Sequence, residues 1–123
     1  MGYYAVPELC VKNLTRATVL AEAAGVADTS RTRRTGLLKH DSLPVGRGLW
    51  IVPTEAIHTF GMKFPIDVLF LDRKRKVLKL RENMDRARIS VCLRAHSVLE
   101  LPAGTIAATG TQAGDQLEFA KNS

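Results

Sequence analysis

The sequence predicts a mainly β fold, a single-domain β-sandwich or distorted barrel with one or two short helices. Three observations lead there. Turn-forming residues recur at short intervals, at Gly25, Gly36, the stretch LPVGRG (Leu43–Gly48), Gly61, Pro65, Pro102, Gly104, Gly110 and Gly114. The runs between them are short and rich in Val, Ile, Leu and Thr, the pattern of closely spaced strands. Long apolar periodicity of 3.6 residues is scarce, which disfavours a parallel α/β sheet.

In chain order the expected strands are Ala17–Ala21, Gly48–Ile51, Ile57–Phe60, Asp67–Leu71, Val77–Arg81, Val98–Leu101 and Gln116–Phe119. The clearest helix spans Thr29–Leu38. Asp28, Thr29 or Ser30 can each cap it by accepting a backbone N–H bond, whereas Gly36 costs about 1 kcal/mol of helix propensity. Two or three turns are expected, and a second short turn after Pro102. Val68–Leu71 is continuously apolar, as in a strand covered on both faces. Alternation puts Asp67, Leu69 and Leu71 on one face of that strand and Val68, Phe70 and Asp72 on the other. Asp72-Arg-Lys-Arg-Lys76 then reads as a hairpin with a basic tip that protects a sheet edge.

The chain has 123 residues, 46% hydrophobic and 24% charged, the size and composition of one folded domain over 1–123. Its net charge is +6, concentrated at Arg31–Arg34 and Arg73–Lys76, which read first as solvated faces. With no recognition-helix pattern and no interleaved aromatic residues, nucleic acid is a disfavoured partner. Cys10 and Cys92 form no C-x-x-C pair, and free thiols in a reducing compartment are the simpler expectation. No apolar run is long enough for a transmembrane segment. MGYYAVPELC lacks the basic and apolar regions of a secretory signal, and Val6 stands where myristoylation needs Ser or Thr; the expected location is cytoplasmic.

The polar residues that invite chemistry are His58, Asp67, Glu100 and Arg33. Asp67 and Glu100 sit in apolar strand sequence, where low dielectric disfavours the ion unless a donor answers it. Three readings follow. Arg33 or His58 pairs with Asp67 and fixes the helix on the sheet; the carboxylates belong to a functional site; or both face solvent at strand ends. His58, Asp67 and Glu100 have no local metal-ligand spacing, so no metal site and no cofactor is expected. Cys92 and His96 would lie about 13 Å apart on a strand, too far for proton transfer, and no Gly-x-Ser-x-Gly or phosphate loop is present. Phe60, Met62 and Phe64 alternate toward one side, as core edge or as the apolar rim of a groove.

The motifs GLLKHDSLPVGRGLWI, HTFGMKFPIDVLFLD, VLELPAG and GDQLEF together resemble the domain of unknown function 192 family, from about Ala17 to Phe119. Arg33 with Gly36-Leu37 fits that family's upstream Arg-x-x-Gly-Leu element. The resemblance implies a small, mainly β protein and supplies no activity. Two positions depart from it. Gly61 stands where many members carry Trp, and the hairpin tip is Asp72-Arg-Lys-Arg where Asp-x-x-Gly is usual, which implies a longer or looser turn. The leading expectation is a non-catalytic module that binds a small ligand or peptide, with His58, Asp67, Arg33, Phe60, Met62, Phe64 and Glu100 as candidate site residues and none of them catalytic. The alternatives are a hydrolase using Asp67 or Glu100 with His58, and weak attachment to nucleic acid or an acidic surface.

Overall fold

The apolar run at Val68–Leu71 becomes a strand with every residue buried, β5 (Ile66–Leu71), deep inside a curled seven-stranded sheet. The computed structural model describes residues 8–38 and 40–122; the N-terminal segment read for a leader or a lipid site, residues 1–7, lies outside them. The order along the chain is β1 (Leu9–Asn13), β2 (Thr18–Ala27), α1 (Ser30–Thr35), β3 (Arg47–Ile51), β4 (Ala56–His58), β5, β6 (Val77–Met84), β7 (Ile89–Val91), β8 (Ser97–Pro102), α2 (Thr105–Thr109) and β9 (Leu117–Lys121). In space the large sheet runs β6-β5-β8-β3-β2-β1-β9, and β4 and β7 form a small sheet of their own. Ladder pairs are antiparallel except β2–β3. That parallel pair is joined through α1, because two adjacent parallel strands need a crossover rather than a hairpin.

The sheet is apolar on both faces. Inside the curl lie Val11, Leu20, Trp50, Leu69, Leu71, Leu99, Leu101 and Leu117. On the other face lie Leu49, Ile51, Ile66, Val68, Phe70 and Val98, covered by Ile57 from β4, Met62 from the following loop and Leu37 from the end of α1. Double coverage explains why β5 and β8 read as unbroken apolar runs rather than alternating ones. Gly48 permits the close approach of β3 to β8, since a Cβ there would lie 3.0 Å from the Glu100 carbonyl oxygen and 3.1 Å from Leu101 Cδ2.

The sheet's edges meet where β6 begins and β9 begins. Lys76 bridges Gln116, and the Val77 N–H donates to the Asp115 carbonyl at 2.9 Å. A buried polar cluster locks this seam. Asn13 Nδ2 donates to Asp115 Oδ2 at 2.9 Å, Arg16 Nε donates to the same oxygen at 3.0 Å, and so does the Gln112 N–H at 2.9 Å. Burial works against the Asp115 ion, but the bonds from Arg16, Asn13 and Gln112 hold its carboxyl below the usual carboxylate range.

Several elements differ from expectation. α1 is one short helix of six residues, ended by Gly36 at φ 48, a left-handed conformation that glycine enters at least cost. Thr29 is its cap, and Thr32 completes a capping box by accepting the Thr29 N–H at 3.1 Å. β1 and β7 have no counterpart in the sequence-based reading, and β2 runs on through Gly25 rather than turning there. The hairpin tip is tight, not loose. Asp72 Oδ1 accepts the Lys74 and Lys76 amides at 2.8 and 2.9 Å, and Arg75 adopts φ 65 at the place where glycine is usual. Its guanidinium lies 5.0 Å from the Trp50 ring and 5.2 Å from the Phe119 ring. Such stacking is worth about 0.5–2 kcal/mol, enough to offset the left-handed backbone cost of about 1–2 kcal/mol.

Candidate functional site

Adjacent strands β5 and β8 carry the two buried carboxyls, and their register separates them. Val68 lies opposite Glu100, and Asp67 lies opposite Leu101. Side chains alternate, so Glu100 shares a face with Val68, Leu49 and Val98, and Asp67 shares the opposite face with Leu69 and Leu101. The two acids cannot act on one substrate from the two sides of a closed sheet.

Asp67 is fully buried, and backbone amides answer it. Oδ1 accepts the Asn83 N–H at 2.7 Å, and Oδ2 accepts those of Gly104 at 3.1 Å and Ile106 at 2.8 Å. Asn83 sits in a bulge of β6, where the register against β5 slips and φ is 49. Gly104 and Ile106 open α2, whose own cap residue offers no side-chain bond. One carboxylate thus pins an irregular strand and a helix start to β5. The expected pairing with Arg33 or His58 is absent: Arg33 Nη1 donates to the Asp28 carbonyl at 3.0 Å, and the His58 ring packs 5.6 Å from Phe60.

Glu100 is the opposite case. It is 3% exposed, its Oε1 is buried without a hydrogen-bond partner, and burial alone pushes its carboxyl up to about 8. A carboxyl that ionises there is largely neutral at pH 7, able to donate one O–H and accept at its other oxygen. It lines a pocket of about 110 Å³ together with Arg33, Arg34, Leu37, Ile51, Thr54, Ile57, His58 and Met62. The end of α1 supplies the arginines, β4 supplies His58 and Ile57, β3 supplies Ile51, and β8 supplies the acid.

The structure therefore brings together Arg33, His58, Met62 and Glu100 from the candidate set and leaves three outside the lining. Asp67 faces the other side of the sheet; Phe60 is 47% exposed against His58; and Phe64 packs against the apolar cluster under β4. A groove rimmed by Phe60, Met62 and Phe64 does not form. Thr54 belongs to the pocket and was not singled out in the sequence; Leu37 entered only through the family element and Arg34 only through the basic cluster. Arg34 stands beside Arg33 in the last helical turn, which is the one local signal for it. His58, Asp67 and Glu100 do not converge as a ligand set, and among the described residues no three His, Cys, Asp or Glu side chains do.

The model of the DUF192 family, described as Uncharacterized ACR, matches residues 11–119. The chain belongs to this family. Two solved structures share the DUF192 chain's fold. One, from Sinorhizobium meliloti 1021, carries the provisional description of a transcription regulator; it is 21% identical, with 97% of each chain covered and a TM-score of 0.82. The other, a protein of unknown function from Novosphingobium aromaticivorans DSM 12444, is 20% identical over 90% of this chain and 83% of that one, with a TM-score of 0.78. No curated protein matches the sequence. Family and neighbours alike supply a fold and no specific activity. Among the described residues no helix is long and apolar enough to cross a membrane.

Two measurements check the opposite roles of the carboxyls. Asp67→Ala removes the acceptor of three backbone amides, that of Ile106 buried, and is expected to lower unfolding free energy by about 2–3 kcal/mol, read from urea denaturation; a loss within experimental error would remove its clamping role. For Glu100 the folded-state value of about 8 stands above the ordinary 4.5. Folded protein then keeps a proton that unfolded chain releases, so this residue's contribution is present below the lower value and is lost as pH rises to the upper. The stability difference between the protein and its Glu100→Gln variant should fall by up to about 1.4 kcal/mol per pH unit across that window. A difference independent of pH would show that Glu100 ionises normally.

Proposed function

We propose that this DUF192 protein is a non-catalytic binding module, the whole chain acting as a single domain, and that its ligand site is the pocket over Glu100. The observation that carries this reading is the unpartnered Glu100 Oε1 at the base of that pocket. A buried polar atom without a partner costs about 1–3 kcal/mol, which a ligand supplying the missing bond would recover. Arg33, Thr54 and His58 provide convergent polar groups, and Ile51, Ile57 and Met62 provide apolar wall, the composition of a small-molecule site. The small volume favours a small ligand, or one terminal group of a larger one, over an extended peptide.

The hydrolase alternative has little support. It needs two of Asp67, Glu100 and His58 within hydrogen-bond reach in one cleft, and Asp67 lies across the sheet with its oxygens occupied. A cytoplasmic location belongs to the same proposal and is supported by two free cysteines, Cys10 and Cys92.

A second reading, attachment to nucleic acid or another acidic surface, is favoured by a separate open groove at the hairpin tip. It is lined by Arg73, Lys74, Lys76, Arg94 and His96, and its one acid, Asp72, has an oxygen engaged by backbone amides. The description of the Sinorhizobium meliloti neighbour as a provisional transcription regulator points the same way.

Replacement of Glu100 separates binding from folding. Glu100→Leu should raise the melting temperature by several degrees, as expected for about 1–3 kcal/mol in a domain of this size, and should abolish the chemical-shift changes that pocket ligands cause at Leu37 and Ile57. A melting temperature lowered by the substitution would make Glu100 structural. For the second reading, affinity for single-stranded DNA should drop steeply between 50 and 200 mM salt, as roughly expected for several phosphate contacts, and Arg73→Ala combined with Arg94→Ala should flatten that dependence; binding that ignores salt would exclude it.

A further inference from the structure

We infer that the pocket's ligand is a short-chain carboxylic acid, bound as its carboxylate between the Glu100 carboxyl and the Arg33 guanidinium. This rests on the pocket being the binding site and adds the chemistry of what fills it.

The base of the pocket sets the first requirement. Glu100 presents a neutral carboxyl whose buried oxygen has no partner among the described residues. A ligand can complete it by accepting the carboxyl's O–H. A carboxylate does so with a short, charge-assisted O–H···O⁻ bond, roughly twice as strong as a neutral one. The mouth sets the second requirement. Arg33 and Arg34 come from the end of α1, and Glu100 is the lone acid in the lining. Arg33 commits one N–H to the Asp28 carbonyl, and the rest of its five-donor fork remains for a planar anion. An amine or guanidinium would have to pass two arginines to reach a neutral acid, and such like-charge juxtaposition rejects it.

The walls and the size set the third. Leu37, Ile51, Ile57 and Met62 are apolar and suit a short aliphatic chain. The cavity is small, about 110 Å³, which suits propionate, isobutyrate or the carboxylate end of a longer chain. A phosphate would bring a tetrahedral array of acceptors, a poorer match to the single O–H of Glu100 than a planar, singly charged group.

The arrangement couples binding to a proton on Glu100. Among the described residues, the charged and titratable groups that line the pocket with it are Arg33 and Arg34 from α1 and His58 from β4; its ladder neighbours on β3 and β5, Leu49 and Val68, carry no charge. Loss of the proton turns a donor into a second anion, so carboxylate affinity falls as pH rises past that ionisation. A cationic ligand would show the reverse.

The test titrates the intact protein with propionate and isobutyrate, and in parallel with isobutyramide and isobutylamine, following amide chemical shifts at Leu37 and Ile57 between pH 6 and 9.5. The expected result is binding of the acids, at least tenfold weaker binding of the amide and none of the amine, with acid affinity dropping up to tenfold per pH unit at the alkaline end. Glu100→Gln, which keeps an N–H donor but cannot titrate, should bind isobutyrate within a fewfold of the parent at pH 7 and lose the alkaline drop. His58→Gln should retain that drop. Amine binding that strengthens with pH, or amide binding equal to that of the acid, would overturn the carboxylate assignment and leave the pocket standing as a site. No shift with any of the four probes would overturn the assignment as well, and a Glu100→Leu variant less stable than the parent would overturn the pocket reading beneath it.

Discussion

A strand covered on both faces can hold a polar side chain only where something answers it, and β5 and β8, side by side in the sheet, each hold one. The answer differs because their ladder places Val68, not Asp67, opposite Glu100. Asp67 points into the curl and receives three backbone amides from two elements distant in sequence. It turns the irregular end of β6 and the start of α2 into fixed geometry. Glu100 points the other way, and its Oε1 has no partner among the described residues. Since a slip of one residue exchanges the two faces of a strand, the same ladder that closes the β core also decides which acid is structural and which is left to a ligand.

The closure of the curled sheet depends on a second group of residues far from the pocket. Asn13, Arg16 and Asp115 lock the seam between its first and last strands. Arg75 caps it, spanning the rings of Trp50 and Phe119. Of the basic cluster Arg73–Lys76, this side chain is therefore not a solvated tip. It packs, and the stack accounts for an arginine in the conformation that glycine usually fills. Arg73, Lys74 and Lys76 are exposed and carry the charge of the tip.

Much of the architecture was legible in the sequence. Turn residues bounded the central strands, and the continuous run in Val68–Leu71 announced a strand buried on both faces. What escaped has physical causes. β7 is three residues long with only Ser90 buried, too short to show a period. β1 precedes the first strong turn signal and owes its place to pairing with both β2 and β9, a contact between the chain's ends. Thr32 closes a capping box where Glu or Gln is usual, because its hydroxyl both donates and accepts. For the site, alternation assigned faces correctly within Asp67–Leu71, but the register between β5 and β8 belongs to tertiary structure. Without it, Asp67 and Glu100 looked equivalent. Arg33 and His58 do not pair with Asp67 as expected; they line the pocket that Glu100 also lines.

The position of Trp50 has a practical side. It is the chain's single tryptophan, it stacks 4.5 Å from Phe119, and its neighbour in β3, Leu49, is the residue that faces Glu100 across the ladder. The indole therefore sits on the reverse side of the sheet from the cavity, beneath the arginine that seals the barrel. Its fluorescence is an internal gauge of barrel closure, insulated by a layer of backbone from whatever enters or leaves on the far side.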